Sequence, residues 1–212
     1  MRWKATIGLF VLTLALQGPA VPDAFAGAPT DQLRSRVDQV LALLGDGEAR
    51  RDRPRERRAA LRKIADDIFD WEETAKRSLG SHWQPRTPDE RAEFVRLFAE
   101  LLGRSYLSKI ETYDGERIGY TGDAEDGEQA VVHTKIINKQ GNEIFVSYKM
   151  LLRDGDRWKV YDVEIEGVSL IANYRTQFNS LLRRSSYPQL VTLLKAKAAE
   201  PEPDSARTAP RR

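Results

Sequence analysis

The sequence predicts an α+β domain: a curved antiparallel four-stranded sheet, a simple meander, wrapped by N- and C-terminal helices. Three observations point to it. Apolar residues recur at helical spacing ahead of Tyr113 and again after Ser169. Between those limits β-branched and aromatic residues alternate with polar ones, the period of a half-buried strand. Gly, Asn and Asp clusters divide that stretch into runs with short connections, and strands joined so tightly must be antiparallel neighbours.

The first 26 residues are set apart from the fold. Arg2 and Lys4 form a short positive region, Ile7 to Leu16 is apolar, and Ala24-Phe25-Ala26 places small residues where a signal peptidase reads them. Cleavage is expected after Ala26, giving an exported, periplasmic protein. The apolar run is too short to span a bilayer core of roughly 30 Å, and a chain without cysteine cannot be a lipoprotein. Residues 27–197 are expected to form one domain, held by packing because no disulfide can form. The full chain carries a formal charge of +2; the leader removes Arg2, Lys4 and Asp23, leaving +1. Nucleic-acid binding normally needs a clear basic excess, so that class loses its weight.

Leu33, Val37, Val40, Leu41 and Leu44 mark a first helix ended by Gly45. The run Arg50-Arg-Asp-Arg-Pro-Arg-Glu-Arg-Arg58 follows. Its interleaved acids dilute the field, so it reads as a solvated loop and first helical turn rather than a patch for acidic headgroups. Leu61, Ile64, Ile68 and Phe69 give a second helix with Pro54 near its start, and Trp71 to Leu79 a third, stopped by Gly80. His82 and His133 lie far apart with no ligand spacing, so no metal site is expected. Thr87-Pro-Asp-Glu90 is a capping box with proline at the first helical position. The helix it opens carries Phe94, Leu97, Phe98, Leu101, Leu102 and Tyr106 to about Ile110.

Ile118 to Thr121 reads as a short strand, Asp123 to Gly127 as a turn, and Gln129 to Asn138 and Glu143 to Arg153 as longer strands. One face of the longer pair holds Ala130, Val132, Thr134, Ile136, Ile144, Val146, Tyr148, Met150 and Leu152; the other holds His133, Lys135, Ser147 and Lys149. From Arg157 to Glu166 the period is two, and from Leu170 onward it is 3.6, with Gly167 at the corner. Ser169 reads as a helix cap, and an Asp162–Arg175 pair is expected to tie strand to helix. The last helix begins near Pro188, and residues 198–212, rich in proline and charge, are expected to be a disordered tail. Periodicity alone does not separate apolar residues that fill a core from those that line a pocket.

The run Trp158-Lys-Val-Tyr-Asp-Val-Glu-Ile-Glu-Gly-Val-Ser-Leu-Ile-Ala-Asn-Tyr-Arg-Thr-Gln-Phe178 resembles the signature of the MlaC family. Ser78-Leu-Gly80 with Trp83, Thr87 to Phe98, Leu102 to Tyr106, and Tyr148 before an Asp-Gly turn agree in order. The Arg50–Arg58 run and the Pro-rich tail match no motif of it. These are periplasmic phospholipid-binding proteins, also known as toluene-tolerance auxiliary components of an ABC transporter. The resemblance implies a monomeric carrier and no enzyme, with no cofactor beyond a phospholipid as cargo, its tails in an apolar cavity between sheet and helices. It also implies two partners: an outer-membrane lipoprotein–porin complex, and an inner-membrane ABC transporter with a hexameric ring of lipid-binding subunits. The residues expected to line the cavity are Leu102 and Tyr106, then Val132, Ile136, Ile144, Val146, Tyr148 and Met150, then Tyr161, Val163 and Ile165, with Val168 and Ile171 beyond them.

Two other classes fit the same α+β outline. An isomerase or dehydratase would use Asp162, His133 and Tyr148, but strand parity puts His133 and Tyr148 on opposite faces. A pure interaction module would recruit a transporter without carrying lipid.

Overall fold

A computed structural model describes residues 27–45 and 54–200. The leader up to Ala26, Arg50 to Arg53 of the arginine run, and the tail from Pro201 lie outside the described residues. Helix α1 spans Ala28–Gly45, α2 Pro54–Ile68, and α3 Trp71–Leu79. Asp70 caps α3 by accepting the Glu73 amide at 2.9 Å. Gly80 ends it with φ 58° and ψ −130°, a conformation closed to side-chain-bearing residues. The aliphatic stem of Arg175 lies 3.4 Å from where a Cβ would stand there. After a 3₁₀ turn at Gly80–His82, α4 runs from Pro88 to Glu111. Its start is the predicted capping box: the Glu90 amide donates to Thr87 Oγ1 at 3.2 Å, and the Thr87 amide to Glu90 Oε2 at 2.9 Å.

The sheet has five strands, β1 Arg117–Asp126, β2 Gln129–Ile137, β3 Glu143–Arg153, β4 Arg157–Ile165 and β5 Val168–Ser169. They lie in sequence order and every pair is antiparallel. Two features correct the expectation from sequence. The corner at Gly167 is a two-residue hairpin, Glu166 and Gly167 having φ of 50° and 76°, and it returns Val168 against Ile165 as a fifth strand. Strand β1 also does not stop at Thr121. It continues to Asp126 through a bulge between Tyr120 and Gly122, which a break in alternation disguises as a turn. Helices α5, Leu170–Leu182, and α6, Tyr187–Ala199, follow as the last elements among the described residues. Ser169 caps α5, its Oγ accepting the Ala172 amide at 3.0 Å.

Two cores form. In the first, Phe94, Leu97, Phe98, Phe178 and Leu190 of α4, α5 and α6 pack with Ala75 and Leu79 of α3. Phe98 meets Tyr174 and Phe178 edge-on, at 5.1 and 5.4 Å between ring centroids. The second core joins Leu33 of α1 to Ala130, Val132, Met150, Trp158 and Val160 of the sheet, with Val37, Ile68 and Phe69 against it. The junction between α2 and α3 covers the outer edge of β4: Phe69 bridges Val160 in parallel, and the Asp70 amide donates to the Val160 carbonyl at 2.8 Å. An edge so occupied is closed to further strands at that point.

The arginine run is not merely solvated. Arg57 and Arg58 close on Glu111 at 3.3 and 3.0 Å, with the Glu111 side chain 1% exposed, so the start of α2 is tied to the end of α4. A second tie joins Arg62 to Glu100 at 2.6 Å.

Candidate functional site

Strand register sorts the inward face of the sheet into rows. Ala130, Met150 and Val160 form one row, and Val132, Tyr148 and Val163 the next. Then come Tyr120, Thr134, Val146, Ile165 and Val168, and last Ile118, Ile136 and Ile144. Cover changes along this progression. Val132 and Met150 are sealed under α1 and α2, at 0% and 1% exposed. Val146 is still buried at 4%, but Ile144 is 41% exposed and Val168 59%. The face is therefore largely apolar across β2, β3 and β4, carries Asp123 and Glu125 at its β1 margin, and is closed at only one end. Large apolar side chains left uncovered next to a continuous apolar surface mark a place where something binds.

Of the residues expected to line a cavity, the register brings Val132, Ile136, Ile144, Val146, Tyr148, Met150, Val163, Ile165 and Val168 onto this one face. Leu102, Tyr106 and Ile171 belong instead to the helical core, Tyr106 half-buried at its margin. Tyr161 stands at the bulge where Lys149 pairs Asp162 but Met150 pairs Val160. Its ring lies under the Arg77 guanidinium, 4.1 Å away, which is where the bulge takes it out of simple alternation. Sequence reasoning missed Ile118, Tyr120 and Val160. The Gly122 signal for a bulge could have recovered Tyr120 as part of a continuing strand.

The polar groups on the inward face are few and mostly neutral. Thr134 Oγ1 donates to the Val146 carbonyl at 3.1 Å. Burial pushes the Tyr148 phenol upward, against the opposing pull of its hydrogen bond with Thr134. Burial likewise raises Tyr120, although Arg34 stacks on its ring at 4.6 Å, and it raises Tyr106 on α4. Phenols shifted this way stay uncharged at neutral pH, so the face carries hydroxyl dipoles and no phenolate.

The outer face is different in kind. His133 Nδ1 sits 2.9 Å from Ser147 Oγ, and Lys149 reaches Glu164 at 3.0 Å and Asp162 at 3.7 Å. Asp162 does tie strand to helix, but not through Arg175 as expected. It accepts from Ser169 Oγ at 2.6 Å and from the Ile171 amide at 3.1 Å, holding the first turn of α5 by its free N–H groups. Tyr148 thus stands on the inward face, while on the outer one His133 is engaged with Ser147 and Asp162 with Ser169 and Lys149, so the three form no single site. Among the described residues no group of three or more His, Asp or Glu is placed to hold a metal ion. Nor is any described helix long and apolar enough to cross a membrane. A separate cleft of about 470 Å³, between α1 and the β3–β4 end of the sheet, is lined by Asp31, Gln32, Arg36, Asp67 and Lys159 beside Met150 and Trp158. Its charges make it unlike the apolar rows.

Fold and face together define an α+β domain that presents a helix-backed apolar sheet surface, open at one end. The chain belongs to the MlaC protein family, whose model matches residues 34–196. It is 23% identical over 128 residues to the intermembrane phospholipid transport system binding protein MlaC of Haemophilus influenzae, a match spanning 58% of this chain and 59% of that protein's length. To the toluene tolerance protein ttg2D of Pseudomonas putida it is 27% identical over 183 residues, 84% of this chain and 82% of that one. Among solved structures it resembles the phospholipid-binding protein of Ralstonia solanacearum in complex with a phospholipid. The TM-score there is 0.69 at 25% identity, covering 80% of this chain and 96% of the other.

Proposed function

We propose that the chain is a periplasmic carrier that holds a diacyl phospholipid by its acyl chains along the inward face of the sheet. The observation that carries this reading is the uncovered continuation of the apolar rows, from buried Val146 to exposed Ile144 and Val168. The phospholipid named in the Ralstonia structure and the transport role named for the Haemophilus relative support it. At about 0.8 kcal/mol per CH₂, two ordinary acyl chains cost on the order of 20 kcal/mol to expose to water. A lipid therefore needs a dry sleeve to cross an aqueous compartment, and a sleeve works by area and shape rather than by directed chemistry. The leader is removed after Ala26, and the monomeric domain of residues 27–197 collects cargo at an outer-membrane lipoprotein–porin complex. It delivers to the hexameric lipid-binding ring of an inner-membrane ABC transporter, keeping the outer membrane asymmetric. No residue is asked to make or break a bond.

Native mass spectrometry of the protein purified from the periplasm tests this. A mass increment that fragments as a diacyl phospholipid is expected. A lipid-free protein that also fails to load from vesicles would refute the carrier.

A further inference from the structure

We propose that hydrolysis of the Ala26–Gly27 bond creates an α-ammonium that Asp123 and Glu125 clasp, so that removal of the leader itself locks α1 onto edge strand β1. The Gly27 amide nitrogen already donates to Asp123 Oδ1 at 3.3 Å. The other oxygen, Asp123 Oδ2, is shielded from solvent and has no hydrogen-bond partner among the described residues. Both carboxylates crowd this main-chain atom group: a Cβ on Gly27 would lie 2.5 Å from Asp123 Oδ2 and 2.6 Å from Glu125 Oε1. Asp123 thus takes the one neutral N–H that Gly27 offers, while the Glu125 carboxylate lies beside the same residue without a hydrogen bond to it.

Their position is built by the fold. Before the bulge the inward residues of β1 are Ile118 and Tyr120; after it the inward positions are Asp123, opposite Val132, and Glu125, opposite Ala130. The bulge therefore puts half-buried Asp123 and exposed Glu125 on the α1 side of β1 rather than on the opposite face, where alternation alone would have put them. The shielded Asp123 Oδ2, left without a partner among the described residues, is met by a cation that the unprocessed chain lacks. An independent line leads to the same bond, since the small-residue motif Ala24-Phe25-Ala26 ends one residue before Gly27.

The step balances with water alone. The C–N bond breaks, hydroxyl goes to the Ala26 carbonyl carbon and hydrogen to the Gly27 nitrogen. At neutral pH the new carboxylic acid gives up a proton and the amine takes one. Gly27 then offers three N–H donors and one positive charge where it had one donor and none. Asp31 is the other acid at this end of α1; its own amide is engaged, donating to the Gly27 carbonyl at 3.1 Å. The inference rests on the leader removal proposed above and not on what the domain carries.

The test uses the full chain, exported and purified. Mass analysis is expected to find Gly27 at the N-terminus. Acetylation of that amine at pH 7, followed on the N-terminal peptide, is expected to run about tenfold slower than in D123N/E125Q. A clasped amine has its pKa raised by about one unit from the ordinary 7.7–8.0, and each unit removes a factor of ten in free base. D123N alone is expected to fall between the two and serves as the comparison if the double variant does not fold. A mature N-terminus elsewhere, or equal acetylation rates in the folded proteins, would overturn the clasp.

Discussion

Replacing Ile165 with glutamate tests the acyl-chain sleeve where folding can tolerate the change. Ile165 is half-buried next to the open end of the row that runs from Tyr120 to Val168, with Val146 and Val168 as its cross-strand partners. Fully burying an isoleucine side chain is worth about 1.5–3 kcal/mol, and the protein already supplies part of that. An acyl chain laid across the remainder contributes about 1 kcal/mol. A carboxylate in its place forfeits that contact and must be desolvated beside the lipid, at about 2 kcal/mol even with water reaching it. The sum, about 3 kcal/mol, is roughly a hundredfold loss in lipid affinity. Lipid-stripped protein is mixed with vesicles of deuterated phospholipid, and native mass spectrometry reads the loaded fraction. Because the bilayer is itself a good solvent for the tails, protein and vesicle compete on near-equal terms and a hundredfold change is visible. Glu164→Gln, one residue away on the outer face where Glu164 pairs Lys149 at 3.0 Å, is expected to load like the wild type. A folded Ile165→Glu protein that loads normally would refute the placement of the chains.

Three further outcomes are expected. Asp162→Ala removes an acceptor from Ser169 Oγ and the Ile171 amide and a partner from Lys149. At about 1.5–3 kcal/mol for hydrogen bonds to a charged group, Tm falls by about 4–10 °C, while the lipid carried per folded molecule is unchanged. Loss of lipid at unaltered Tm would show that Asp162 touches the cargo. Glu111→Ala removes a buried carboxylate that Arg57 and Arg58 both reach and is expected to cost about 1.5–3 kcal/mol, read as a lowered denaturant midpoint. An unchanged midpoint would mean that α2 is held by its apolar face and the Arg62–Glu100 tie without help from Glu111. Deleting the chain beyond Ala199 is expected to leave vesicle loading as it was, since that segment has no large apolar residue; reduced loading would give the tail a role in binding.

Local signals in the sequence carried well where the physics is local. The start of α4 was written in Thr87 and Glu90, that of α5 in Ser169, and the stop of α3 in Gly80, because caps are short-range hydrogen bonds with fixed spacing. The parity of β2 and β3 was equally plain and placed nearly every inward residue. What failed depended on registers broken by one residue. The bulge at Thr121 made the end of β1 look like a turn, and the bulge at Tyr161 moved that ring beneath Arg77. Strand β5, with two residues, is too short to show any period. Contacts distant in sequence were also hidden. Nothing near Arg58 announces Glu111, and the interleaved charges around it argued for a solvated run instead. Asp162 was marked as a tie between strand and helix, but an acid that caps backbone N–H groups looks the same in sequence as one that meets an arginine. As for the cavity, an apolar residue reads alike whether it is covered by protein or by cargo; only the exposure of Ile144 and Val168 raises the question.

The central claim is that acyl chains lie along the inward rows, and photocrosslinking addresses it most directly. Protein loaded with a phospholipid bearing a diazirine near the middle of one acyl chain is irradiated, digested and mapped. Adducts are expected on Val146, Tyr148, Val163 and Ile165, the inward positions of β3 and β4. Adducts confined to the outer-face residues Ser147, Lys149 and Glu164, or to the charged cleft beside α1, would contradict it.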